Sequence, residues 1–273
     1  MKEIKKGDIV SRKSYGNDII FYVKEINKLV NQKRIAILKG INTRIVADAP
    51  VEDLKKLSLK EKKRCEEELT EKIYNRIKRE KTQEEKRRKK IIYTGKILHL
   101  DGDKRYSEKS VLYYNKMGLN AIVRNIPENK QPKVVYRLLN IYNPDILVIT
   151  GHDGMIKSGA GYRDLFNYRN SKYFIQTVKE ARKYDMAHNN NLVIFAGACQ
   201  SYFEAIMDAG ANFASSPARI LIDFLDPLIV AKSVAFTDKN KYITIDDFVE
   251  ELRDGKKGVN GIGARGKKNI IFI

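Results

Sequence analysis

Cysteine is nearly absent from this chain of 273 residues: the two it has, Cys65 and Cys199, lie in unlike surroundings, one in a charged stretch and one at the end of an apolar run. That excludes a disulfide framework and fits a reducing compartment. Histidine is almost as scarce, at positions 99, 152 and 188, and no CxxC or HExxH spacing accompanies it, so neither a metal nor another cofactor is expected. No apolar run approaches the roughly 20 residues that span a bilayer. The charged opening Met1-Lys2-Glu3-Ile4-Lys5-Lys6-Gly7 lacks the apolar stretch of a secretory signal, which predicts a cytoplasmic protein with no membrane partner. Acidic residues are outnumbered, 34 against 53 Lys and Arg, giving a formal net charge of +19. Such a surplus suits an anionic partner or a solvated basic surface; without clustered aromatics of the RNA-binding kind, nucleic acid is the less favoured of the two.

What is present divides the chain into three parts. Residues 1–50 hold short β-rich runs (Asp8-Ile9-Val10, Ile19 to Val23, Arg34 to Leu38, Arg44 to Ala47) separated by Gly, Asn and Lys turns, which predicts a small SH3-like β-barrel. Residues 51–92 shift to Lys, Glu and Arg with sparse leucines and isoleucines, and between Glu52 and Lys90 there is no Gly or Pro: a charged helical linker, with Lys86-Arg87-Arg88-Lys89-Lys90 as a basic block. Residues 93–273 alternate apolar runs with amphipathic segments, the texture of a doubly wound α/β domain with a parallel sheet. Strands are expected at 96–101, 120–124, 145–151, 191–197 and about 211–215, and helices at 105–118, 131–142, 171–186, 200–209, 226–235 and 245–254. The connection from Gly154 to Asn170 is long enough to be a binding element. The glycine-rich, basic stretch from Gly255 to Gly266 should be mobile.

Two apolar runs end on reactive side chains. Ile146-Leu147-Val148-Ile149-Thr150 leads into Gly151-His152-Asp153-Gly154, and Leu192-Val193-Ile194-Phe195-Ala196 leads into Gly197-Ala198-Cys199-Gln200-Ser201. In a parallel sheet the carboxyl ends of neighbouring strands share one edge, where open α/β folds place their sites. His152 and Cys199 are therefore expected to meet as base and nucleophile of a Cys/His dyad. A helix starting directly after Cys199 would favour its thiolate, and Gly197 and Ala198 would leave room for a substrate. Backbone N–H groups of Gly154 and Cys199 are the candidate oxyanion donors. Asp153 receives no triad role, because adjacent residues on a strand point apart.

These residues carry a resemblance. An apolar block ending in His-x-Gly, followed about 50 residues later by one ending in Ala-Cys, is similar to the caspase, gingipain and clostripain clan of cysteine peptidases. More narrowly, Pro144 to Asp153, Tyr168 to Phe174, Phe195 to Ser201 and Gly210 to Pro217 resemble the YabG family of sporulation-specific proteases. So do Gly7 to Tyr15 and His99 to Asp103. The resemblance implies a caspase-like domain and an endopeptidase of the mother cell that trims spore coat and coat-associated proteins after arginine, with His152 and Cys199 as its dyad. Gly197 and Gln200-Ser201 depart from the caspase pattern, which argues against aspartate specificity. An arginine side chain in a pocket needs a carboxylate, and Asp101 and Asp103, at the end of the first strand of the sheet, are the candidates. Asp101 could equally cap the next helix. Asp223 and Asp226 are alternatives, and Ser215 and Ser216 could line the cleft. Two other readings stand beside this one: a Mg²⁺ site on Asp101-Gly102-Asp103 for phosphoryl transfer, and a non-catalytic basic coat-assembly or nucleic-acid adaptor. Arginines near Gln32–Ile35 and Glu85–Arg88 raise self-cleavage as a further expectation.

Overall fold

The β-rich runs of the amino-terminal part pair into one antiparallel sheet in the computed structural model, which describes residues 3–30, 33–84, 91–156 and 161–271. Its strands are β1 (Ile9–Arg12), β2 (Ile20–Val30), β3 (Lys33–Gly40), β4 (Val46–Pro50) and β5 (Leu54–Lys56), in the order β4-β3-β2-β1-β5. A register shift between Val23 and Glu25 bends β2, the longest strand. The last strand, β5, returns to β1, with Ser11 opposite Lys55, so this sheet extends past position 50. Inward-facing Val10, Phe21, Val23, Ala36 and Leu38 bury themselves at period two.

The charged segment forms α1 (Leu59–Glu84) but is more than a spacer. Cys65, Leu69, Ile73 and Ile77 recur every four residues, all buried, and the last three join a core with Tyr106, Tyr113 and Tyr114. Cys65 is thus an interior residue of a helix stripe. Residues 85–90, which include the whole basic block, lie outside the described residues, as do Gln32 and positions 157–160 of the long connection. Arg34 pairs with Glu3.

Beyond β6 (Ile91–Tyr93), the chain alternates β7 (Ile97–Asp101), α2 (Lys104–Lys116), β8 (Ala121–Asn125), α3 (Gln131–Tyr142), β9 (Ile146–Thr150), α4 (Ser171–His188), β10 (Val193–Ala196), α5 (Phe203–Asp208), β11 (Phe213–Ser215) and α6 (Asp226–Phe236). Then follow β12 (Tyr242–Ile243), α7 (Gly255–Gly258), β13 (Val259–Gly261), β14 (Ala264–Arg265) and β15 (Asn269–Ile271). The main sheet has the order β13-β11-β10-β9-β7-β8; its pairs are parallel except that β13 runs antiparallel to β11. Alternate residues of the central strands feed two cores. Ile97, Ile146, Val148, Val193 and Phe195 face α1, α2 and α6, whereas Leu98, Leu100, Leu147, Ile149 and Ile194 face α3, α4 and α5. Both faces are covered by helices, which is why these strands read as unbroken apolar runs.

Two expectations fail. The segment 245–254 forms short 3-10 turns, Ile245–Asp247 and Val249–Glu251: a capping box of Thr244 and Asp247 opens the first, and Phe248, at φ −144°, leaves the helical region between them. The glycine-rich stretch 255–266 is ordered: β13 completes one edge of the main sheet, with Phe213 opposite Gly261, and β14 pairs with β12. Its backbone groups find partners there, so composition alone misjudged it. No described helix is long and apolar enough to cross a membrane.

Candidate active site

The chain leaves β7 toward β8 on one side and returns to place β9 on the other, so strand order reverses between β7 and β9. Crevices at such reversals, beyond the carboxyl ends of the strands, are where open α/β sheets hold ligands. Asp101 is level with Thr150, and Ile149 with Ala196. The short loops that follow β7, β9 and β10 therefore carry Asp103, His152 and Cys199 to one edge, next to Asp101.

His152 is fully buried. Its backbone N–H donates to Glu128 Oε1 (2.8 Å), its Nε2–H donates to Gly40 O (3.1 Å), and Nδ1 lies 3.9 Å from Asp103 Oδ2 without a hydrogen bond. The tautomer set by Gly40 leaves Nδ1 as the basic nitrogen. Burial, aided by the nearby ammonium of Lys39, lowers the imidazole from its ordinary 6.5 to about 4, against the pull of Asp103. Asp103 is itself held below the carboxylate range: burial opposes this, but His152 and Lys39 outweigh it. Tyr106 stacks between His152 and Phe224, at centroid distances of 5.4 and 5.3 Å.

That shift has a measurable consequence. A histidine depressed in the folded state contributes stability that is present above 6.5 and lost as the pH falls toward about 4. The buried Asp153, raised to about 6 chiefly by burial, acts in the opposite sense, contributing stability below its ordinary 3.8 that is lost as the pH rises toward 6. Replacing His152 by Gln removes only the first effect. The variant should lose about 3 kcal/mol less than the parent between pH 7 and pH 4, read from urea midpoints. Equal losses would mean that the imidazole is not depressed.

Asp153 faces away from His152, as adjacent residues on an extended chain do. Its carboxylate accepts from Ser171 Oγ, from Ser201 Oγ (3.0 Å) and from the backbone N–H groups of Asn170 (2.8 Å) and Gly154 (2.9 Å). It thereby ties the loop after β9 to the loop after β10 and to the start of α4. Gly154 N–H, expected to face an oxyanion, is spent on this carboxylate. The neighbouring Asp153 N–H instead donates to Arg44 O (3.1 Å).

Cys199 departs furthest from expectation. No helix starts behind it: Gln200 adopts a left-handed φ of 55°, Ser201 Oγ accepts the Ala198 N–H, and α5 begins only at Phe203. The thiol is fully buried and packs in the same apolar cluster as Val10, Ile45 and Ile222. It accepts from Ile222 N–H (3.3 Å) and from the Arg44 backbone N–H. Burial pushes it up to about 12, and those donors only soften the effect. His152 and Cys199 stand at the ends of adjacent strands, but no hydrogen bond joins them among the described residues. An open, activated thiol is not what the structure holds.

Asp101 is buried in a polar network. Arg44 Nη1 reaches its Oδ2 at 2.6 Å, both side chains fully buried, while Thr150 Oγ1 (2.9 Å) and Asp103 N–H (2.8 Å) donate to the same carboxylate. Behind Thr150 stands His99, kept neutral by burial and by the Arg44 charge, with Tyr114 on its other nitrogen. The guanidinium lies over Tyr106 (4.5 Å) and near Phe224 (5.5 Å), and stays charged because Asp101 and Tyr106 outweigh its desolvation. Asp103, not Asp101, caps α2, accepting from Arg105 N–H. Asp223 and Asp226 serve the start of α6 and contact Lys72 and Arg253, not Arg44. Ser216 ties Gln200 to Ile220, and Ser215 Oγ is buried without a partner. No group of three His, Cys, Asp or Glu able to hold a metal occurs among the described residues.

Sequence reading missed Arg44, Lys39, Glu128 and Tyr106. Lys39 lies in the amino-terminal sheet and Arg44 on the loop between its strands β3 and β4, and nothing in their local pattern marks them. Gly154 does carry a signal: a Cβ there would stand 2.2 Å from Val46 O, so the loop after His152 needs glycine to let that sheet approach.

Comparison with known proteins covers nearly the whole chain. The family model described as YabG peptidase U57 matches residues 5–272. A curated relative, the sporulation-specific protease YabG of Bacillus subtilis (strain 168), is 39% identical over 97% of this chain and 96% of its own length. No solved structure matches. The chain belongs to the YabG peptidase family, U57.

Proposed function

We propose that this protein is a sporulation-specific cysteine endopeptidase that cleaves spore coat and coat-associated proteins on the carboxyl side of arginine, working in the mother-cell cytoplasm or at the forming coat. Membership of the peptidase family supports peptide-bond hydrolysis. What carries the finer reading is the convergence of Asp101, His152 and Cys199 at three adjacent strand ends, with a guanidinium already paired to Asp101. The five-stranded sheet is read as SH3-like and the larger one as caspase-like.

Asp101 pairs with the arginine that precedes the scissile bond, and Thr150 and the Asp103 N–H hold its carboxylate in place. His152 takes the Cys199 proton as sulfur attacks the carbonyl carbon. The oxyanion accepts from the N–H groups of Asp153 and Cys199; Asp153 replaces Gly154 in that role because its N–H already meets a carbonyl oxygen. The imidazolium then protonates the leaving amine, and water, deprotonated by His152, hydrolyses the thioester to free carboxylate and thiol.

Mass-spectrometric mapping of cut sites in a diverse peptide library tests the specificity. Cleavage should fall after arginine, with lysine much poorer because an ammonium on a shorter reach loses the planar fork geometry. Cuts spread evenly over other residues would reject the assignment of Asp101.

A further inference from the structure

Resting on that reading, one more feature is explained only if the substrate cleft is already filled. The loop from Gly40 to Val46, closed on itself by Gly40 N–H donating to Ile45 O (2.9 Å), leaves the amino-terminal sheet and enters the crevice between β7, β9 and β10. It touches every element of the site. Gly40 O takes the His152 Nε2–H, the Arg44 N–H points to Cys199 Sγ, and Arg44 O takes the Asp153 N–H. Its guanidinium fills the position on Asp101, and Ile45 and Val46 run parallel to Asp153, with Val46 N–H donating to Asp153 O (2.7 Å). This is how an extended peptide docks: main-chain hydrogen bonds along one edge and a single side chain in a matching pocket.

The occupant is incompletely satisfied. Arg44 Nε and Nη2, His152 Nδ1 and the Tyr106 hydroxyl are buried without hydrogen-bond partners. Unmet buried donors cost stability, so Arg44 is poorly satisfied as a permanent core residue, whereas a substrate arginine that takes its place on Asp101 restores the ion pair given up when the loop leaves.

We propose that the loop Gly40–Val46 is an intrasteric inhibitor: Arg44 occupies the arginine pocket as a substrate does, and the peptidase works only when this loop withdraws. Its apparent affinity for substrate is then reduced by the fraction of molecules in which the loop is out.

The test measures Cys199 directly. In Arg44→Ala, alkylation of Cys199 by iodoacetamide, followed by peptide mass spectrometry, should be at least about tenfold faster than in the parent, and kcat/KM for an arginyl peptide should rise by a similar factor. Thiol reactivity unchanged in an Arg44→Ala protein with a native circular-dichroism spectrum would overturn the proposal. Faster alkylation without cleavage would leave the loop as the cover of Cys199 and remove the peptidase reading alone. Should loss of the Arg44–Asp101 pair prevent folding, Gly40→Ala serves instead: its methyl would stand 2.3 Å from Thr43 O, which distorts the loop while Arg44 and Asp101 remain. The same rise in alkylation is expected. In the unaltered protein, amides 40–46 should resist hydrogen exchange at rest and exchange once a peptide aldehyde ending in arginal is bound to Cys199. Persistent protection with the aldehyde bound would equally overturn the proposal.

Discussion

Cys199→Ala and His152→Ala should each lower arginine-directed proteolysis by at least about a thousandfold, with no loss of fold. Without the sulfur there is no thioester, and no neighbouring group can replace it: the hydroxyl of Ser201 already donates to Asp153, and that of Ser216 to Ile220. Without the imidazole the thiol, pushed up to about 12 at rest, has no base to take its proton. The two losses should not add, because nucleophile and base act as one unit; the double variant should be about as impaired as either single one. Steady-state rates on an arginyl peptide, with thermal unfolding as a control for fold, make the check. Full activity in a folded Cys199→Ala protein would remove the mechanism.

Replacing Asp101 by Ala should have two separable effects. Arg44 would remain buried with no counter-charge, and breaking such a pair costs about 3–5 kcal/mol, visible as a large drop in the urea midpoint. Cleavage after arginine should fall by at least about a hundredfold, because the same carboxylate is asked to hold the substrate. Adding Arg44→Ala to Asp101→Ala separates the two. The double variant should regain most of the lost stability, since neither charge is then stranded, but not the cleavage. If arginine cleavage returned with stability, Asp101 would be only a partner of Arg44 and no part of the substrate pocket. Asp103→Ala should act differently, weakening the start of α2 by about 1 kcal/mol through its lost cap.

How much of this was legible follows from the range of each interaction. The strand ends at Thr150 and Ala196 could be read from unbroken apolar runs, because both faces of a central parallel strand are covered and each residue reports its own burial. The juxtaposition of His152, Cys199 and Asp101 followed from topology, since parallel neighbours end on one edge. The orientation of Asp153 away from the histidine followed from strand geometry. By contrast, the depressed imidazole, the sealed thiol and the spent Gly154 N–H depend on what packs against them, and no local pattern encodes that. The ordered run from Val259 to Arg265 was misjudged for the same reason: glycine reads as freedom until a partner strand takes up its N–H and C=O groups.

The residue order by itself determined the central strands and their flanking helices, which strand ends carry a thiol, an imidazole and a carboxylate, and that these share an edge, because hydrophobic period and parallel connectivity are properties of the chain. Only the tertiary structure decided that a loop from the amino-terminal sheet fills that edge, that Arg44 rather than solvent meets Asp101 across 57 positions of sequence, and that both titrating groups rest in their neutral forms. Burial and charge pairing between distant segments set those features, and they exist only once the sheets have packed together.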